Sequence, residues 1–144
     1  ASGDGMNIFV LERDPVGAAV VQCDRHVVKM PLESAQMACT IAWGHGFAAP
    51  YKPTHAKHPC TVWSGSSLEA FEWLLAHGLA LCAEYSLRYG REHKSEAVLR
   101  TVSSISGLKS SLPEVPMPPF AQAMPDLYRS SDAIVAYRAF YKGP

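Results

Sequence analysis

Between Ser67 and Gly90 apolar side chains recur at Leu68, Phe71, Leu75, Leu79 and Cys82, with Ser86 next in step. The steps are three and four residues, no proline interrupts them, a serine stands ready to cap the start and a glycine to end the run. Such a stripe needs a partner surface, so the chain must fold as packed helices. A second stretch, Pro15 to Trp43, repeats the pattern through Ala19, Val20, Cys23, Val27, Met30, Ser34, Met37, Ala38 and Ile41. Asp14-Pro15 supplies its cap and first turn, and Gly44 and Gly46 end it. Pro31 falls inside this stretch, which predicts a kink there or a division into two helices.

The other segments are shorter. Ile8 to Leu11 reads as a short strand or extended segment packed on helices. Phe47 to Ser67 is loop-rich, Glu92 to Ser106 reads as a helix, and Asp132 to Tyr141 as a final short one. Leu112 to Pro125, with Pro113, Pro116, Pro118 and Pro119, reads as an extended surface strap. The expected fold is mainly α, a compact single-domain helical bundle with one short N-terminal extended segment. At 144 residues the length suits one domain, since domains hold roughly 100–200 residues. Residues 1–5 read as a leader before a natural start at Met6, residues 6–144 as the domain, and Gly143-Pro144 as an unfinished end. No apolar run approaches the ~18 residues of a membrane span. Thirteen basic residues balance thirteen acidic ones, which argues against a strongly basic nucleic-acid coat while leaving room for a local patch. Cys23, Cys39, Cys60 and Cys82 form no CxxC pair and are expected to be free, mostly buried thiols in a reducing cell, hence cytoplasmic.

Each long helix carries a second, polar stripe. On the first lie Gln22, His26, Lys29, Glu33, Gln36 and Thr40; on the other, Trp73, His77, Glu84 and Arg88. Residues at these steps share a face. Two solvated faces with ordinary i,i+4 pairs are the plain alternative. The His, Gln and Trp content points instead to two stripes lining one polar cleft, with Lys29, Glu33, Glu84 and His58 together in it. The loop Thr54-His55-Ala56-Lys57-His58-Pro59-Cys60 adds three possible zinc ligands in His55, His58 and Cys60. It equally offers a catalytic or phosphate-binding His pair beside Lys52 and Lys57. Arg88-Tyr89-Gly90-Arg91-Glu92-His93-Lys94 is the one basic run, placed to cap a helix end or to hold phosphate.

The strings at 6–15, 23–37, 51–63, 84–94 and 120–141 resemble a group of short, mostly unassigned phage-encoded proteins over nearly the whole chain from Met6. A more distant similarity is to the pyrimidine-dimer DNA glycosylases of the phage endonuclease V type. That resemblance implies an N-terminal extended segment, a helix bearing catalytic residues, a loop containing His-Pro, and a helix ending in a basic turn. It also implies a terminal amine that attacks the sugar carbon and a helical Glu that assists, near Lys29 or Glu33. The Met6 amine is preceded here by five further residues.

The expectation is a phage-type enzyme acting on a nucleic-acid base or nucleotide, foremost a DNA glycosylase/lyase, inside an infected host cell and without a cofactor, metal or membrane. In it Lys29 is the amine nucleophile, Glu33 or Glu84 the general base, and His26, His55 or His58 the proton shuttle. Lys52, His55, Lys57, Arg88, Arg91, His93 and Lys94 bind phosphate. The alternatives are a non-catalytic accessory protein that binds a protein partner through the strap and last helix, and a metal-dependent hydrolase using His55, His58 and Cys60.

Overall fold

The Asp14 carboxylate accepts the Gly17 N–H at 2.7 Å and Pro15 occupies the first turn of α1 (Pro15–Val20). In this computed structural model, which describes residues 6–143, that helix stops after six residues. The expected leader at 1–5 and Pro144 lie outside the described residues. The chain resumes as α2 (Asp24–Gly44), with Pro31 buried in its interior. The division therefore falls at 21–23 rather than at Pro31. Proline removes one helical hydrogen bond, but α2 continues through it. The break at 21–23 has a different cause. Gln22 turns inward, and its Nε2 donates to the Ile8 and Phe9 carbonyls at 3.1 and 3.2 Å. Val20 and Cys23, expected in the core stripe, are consequently exposed, whereas Ala19, Val27, Met30, Ser34, Met37, Ala38 and Ile41 are buried.

The stretch expected as loop contains α3 (Pro59–Ser64), started by His58, whose Nδ1 accepts the Cys60 N–H at 3.1 Å. In α4 (Leu68–Tyr89) the Ser67 hydroxyl accepts from Ala70, and Gly90 closes the helix at φ +69°, a conformation glycine adopts without steric cost. Next come α5 (Lys94–Ser103), shorter than the sequence suggested, and α6 (Ala133–Lys142), capped by Asp132. Two single-turn helices lie between them, at Lys109–Ser111 and Asp126–Tyr128. Among the described residues the secondary structure is helical, without a strand.

α4 packs against α1, α2 and α5. Gly78 permits the closest approach: a Cβ there would sit 3.2 Å from Ser34 Cβ and 2.9 Å from a Leu99 methyl. Met30, Met37, Phe71, Leu74, Leu81 and Leu99 fill the space between them. The segment 6–11, expected as a strand or extended run, forms neither helix nor strand and is buried, with Phe9 at φ +58° interrupting it and Gln22 holding one side and Glu33 the other. The strap crosses outside, with Pro113, Glu114, Val115, Pro116 and Pro119 exposed and Leu112 and Phe120 tucked inward. Trp63 fixes it by donating to the Pro118 carbonyl at 3.0 Å, and Leu68 N–H by donating to Pro113 at 2.8 Å. The cysteines are free thiols; Cys39, Cys60 and Cys82 are buried and Cys23 is exposed. No helix among the described residues is long and apolar enough to cross a membrane.

Candidate functional site around Glu33

The polar stripe of α2 is buried rather than solvated: Gln22, His26, Glu33 and Thr40 are each less than a tenth exposed. A buried polar side chain needs partners, and these sort the stripe into two groups.

The first group is a lock. His77 Nδ1 lies 2.9 Å from the Pro15 carbonyl and must donate to it, so the neutral ring's Nε2 accepts from Gln22 at 3.1 Å. Burial pushes the His77 pKa down, which keeps the ring neutral. Arg88 donates through Nη1 to the Gln22 carbonyl and Asp24, through Nη2 to the Val20 carbonyl, and through Nε to Glu84. It thereby closes the 21–23 break onto the end of α4. Glu84 and Arg88 thus serve each other and the main chain, and no contact among the described residues joins Glu84 to Glu33.

The second group gathers around Glu33, whose side chain is 9% exposed. Its Oε1 accepts the Asn7 N–H at 2.9 Å, and its Oε2 lies 3.5 Å from Lys29 Nζ. Burial raises the Glu33 pKa; the Asn7 N–H, Lys29 and His55 pull it back down. The balance is a carboxyl that holds a proton more readily than an ordinary glutamate. His55 reaches the group from the loop, where Thr54 Oγ1 lies 2.8 Å from its Nδ1 and the Thr54 N–H donates to Thr40 on α2.

Backbone strain collects at this group. Among the described residues two non-glycine positions have positive φ, Phe9 at +58° and His55 at +52°. For a bulky residue such as Phe9 this is an outlier, and strain of this kind concentrates at functional sites. Asn7 sustains it, since its Oδ1 accepts both the Ile8 and Phe9 N–H groups. The Phe9 ring stacks on His26 at 4.1 Å and 15°. Tyr141 OH accepts the Cys23 N–H and lies 2.8 Å from His26 Nδ1. Burial first, then the charges of Arg25 and Lys29, lower the His26 pKa to about 4.

Beside this group, between the extended segment and the strap, opens a cleft of about 400 Å³. Met6, Asn7, Phe9, His58, Met124 and Phe140 are among its walls. His58 is held below its ordinary pKa by burial and by His55. Lys29 and His55 act on Glu33, Lys29 on His26 and His55 on His58, and of these five residues His58 is the one that lines the cleft.

Other expected residues go elsewhere. The Cys60 thiol is fully buried and pushed up to about 12 by burial, and it hydrogen-bonds Tyr137. With His58 Nδ1 already committed to capping α3, the loop does not assemble a metal site, and no three His, Cys, Asp or Glu side chains converge on one among the described residues. Lys52 and Lys57 stand exposed on the loop. Arg91, His93 and Lys94 border a separate hollow with Tyr85 and Glu92. There Arg91 Nε donates to Tyr85 OH, and both His93 nitrogens are engaged, Nδ1 by Ser95 N–H and Nε2 on the Val28 carbonyl.

Sequence reasoning missed Asn7, Phe9 and Tyr141. A lone asparagine in the apolar run Met6 to Leu11 was the available signal for the first; the other two carried none. No family model, curated protein or solved structure matches the chain.

Proposed function

We propose that the protein is an enzyme acting on a nucleic-acid base through an amine nucleophile, a DNA glycosylase with lyase activity. One observation carries the reading: the main-chain nitrogen of Asn7 sits 2.9 Å from a buried carboxylate that also neighbours a lysine amine. This contact between the start of the segment and a helical Glu supports a reading patterned on the resemblance to the pyrimidine-dimer glycosylases.

The chemistry follows from the neighbours of Glu33. An amine, either Lys29 Nζ or the terminal amine of a chain beginning at Met6, attacks the sugar C1′. The C1′–N glycosidic bond breaks, and its electron pair leaves with the base. Glu33 takes the proton that the attacking nitrogen must lose, and a partly raised pKa lets it return a proton to the departing base. The C1′–O4′ bond of the aminal then opens, O4′ takes up a proton, and the nitrogen lone pair forms the imine; β-elimination from it breaks the 3′ C–O bond with phosphate leaving, and water hydrolyses the imine to free the amine. Neutral His26 and His58 are available as proton carriers beside it. The cleft would receive the base, which has to leave the helical stack to reach such a group.

Borohydride trapping tests this directly, because it reduces the imine to a stable bond. Two proteins are compared, this chain and one beginning at Met6, on duplexes that are abasic, ultraviolet-damaged or carry modified pyrimidines. An adduct mapped to Lys29 or to the terminal amine is expected. Absence of any adduct, together with no retention on DNA at low salt, would overturn the proposal.

A further inference from the structure

The cleft between the extended segment and the strap has a defined chemistry. Its walls at Met6, Phe9, Met124 and Phe140 are apolar, and the Phe9 and Phe140 rings are nearly parallel, 16° apart with centroids at 6.1 Å. Three polar side chains border it, and two of them have their oxygen and one N–H committed. Asn7 spends its oxygen on the Ile8 and Phe9 N–H groups and its nitrogen on the Ala123 carbonyl at 2.8 Å. Gln122 spends both amide atoms on Ser130, accepting from its N–H at 2.9 Å and donating to its carbonyl at 2.6 Å. The third is His58. Its Nδ1 accepts the Cys60 N–H as the cap of α3, so the ring's proton must sit on Nε2. Protonating Nδ1 as well would cost the cap, so the Nε2–H donor form is the one the fold selects. No protein acceptor for Nε2 occurs among the described residues.

We infer that this cleft binds a flat heterocyclic ring that presents a carbonyl oxygen to the His58 Nε2–H, with the aromatic and methionine walls covering its faces. The volume, about 400 Å³, suits one ring system with its sugar and lies near the low end of small-molecule sites, which span roughly 300–1,000 Å³. The inference rests on the base-directed reading of the same site and adds the kind of base edge it selects.

The probes are thymidine and its difluorotoluene isostere, which keeps the ring's shape but lacks strong acceptors. Binding is followed by NMR on the whole chain, including the nitrogen resonances of His58. Thymidine is expected to bind roughly 3–10-fold more tightly than the isostere, the worth of one hydrogen bond, and to shift the Nε2 resonance. His58→Asp separates donor from cap, because an ionised aspartate can still accept the Cys60 N–H but has no proton to donate. That variant should fold as the parent does and bind the two probes equally. Equal binding by the parent, no binding of either, or a preference that survives in His58→Asp would each overturn the inference. Retained thymidine preference without any borohydride adduct would keep the pocket and remove the lyase reading; an adduct with equal probe binding would do the reverse.

Discussion

Glu33 answers two demands at once, anchoring the extended segment through Asn7 and standing buried beside Lys29. Glu33→Gln separates them, because glutamine can still accept the Asn7 N–H but cannot take up a proton. Activity should fall roughly 10²–10⁴-fold, the usual worth of a proton-transfer group, with the melting temperature nearly unchanged; single-turnover trapping beside thermal denaturation checks both. The neighbouring histidine gives a pH prediction. His26 titrates near 6.5 when unfolded and near 4 when folded, so the unfolded chain binds more protons between those values. Stability is therefore full above about pH 6.5 and is lost as pH falls toward 4. His58 and His77 act in the same direction, and Glu33, whose pKa is raised, acts against them. In His26→Gln the decline in urea-unfolding free energy from pH 7 to 4.5 should be shallower by on the order of 2 kcal/mol. An unchanged slope would remove His26 from the account.

At the scale of elements, the junction between α1 and α2 depends on a residue of α4. Arg88 reaches the Val20 and Gln22 carbonyls and Asp24 while Glu84 balances its charge. Arg88→Ala should cost about 2 kcal/mol, as charge-assisted hydrogen bonds to main chain are lost. Arg88→Lys should recover little, because a lysine cannot reproduce the fork. Chemical denaturation measures both. If Arg88 instead served phosphate, the alanine variant would keep its stability and weaken DNA binding uniformly. This junction also shows what periodicity could and could not reveal. Steps of three and four are a property of the helix itself, so the stripes gave α4 and most of α2 but only part of their buried faces: Phe71, Leu75 and Cys82 are buried as expected, whereas Leu68, Leu79 and Ser86 are half-buried and Leu74, His77 and Leu81 lie deeper. The break at 21–23 was invisible because its cause is tertiary: Gln22 is drawn to carbonyls of a segment far from it in sequence. Pro31 was the louder local signal, yet packing on both sides of α2 overrides it. His58-Pro59 did announce α3, as a side chain able to cap followed by proline in the first turn, within a stretch whose other prolines masked it.

Across the whole molecule, two long helices hold polar residues between them, while the first six described residues and the strap close over one side. Of the expected cleft of Lys29, Glu33, Glu84 and His58, only parts share a neighbourhood: Lys29 pairs with Glu33 on α2 and His55 acts on Glu33 from the loop, whereas Glu84 is taken by Arg88. The contribution of Asn7, Phe9 and Tyr141 was not legible, because it depends on how segments distant along the chain close over α2. Charge is balanced over the chain. Thirteen basic residues offset thirteen acidic ones, and Arg88 and His93 spend their donors within the protein. Near the Glu33 region, Lys52 and Lys57 stand exposed on the loop that carries His55 and His58. If DNA is the substrate, affinity should depend on salt only modestly, with few counterions released. Replacing Lys52 or Lys57 by alanine should each reduce the slope of log K against log salt by about 0.9 if that lysine meets a phosphate. Fluorescence anisotropy on an abasic duplex between low and moderate salt measures the slope. The loss should be the same for every sequence tested, because phosphate contacts carry no base information. A slope untouched by both substitutions would move the phosphate contact to the Arg91 and Lys94 hollow, where the same pair of measurements on Arg91→Ala and Lys94→Ala would locate it.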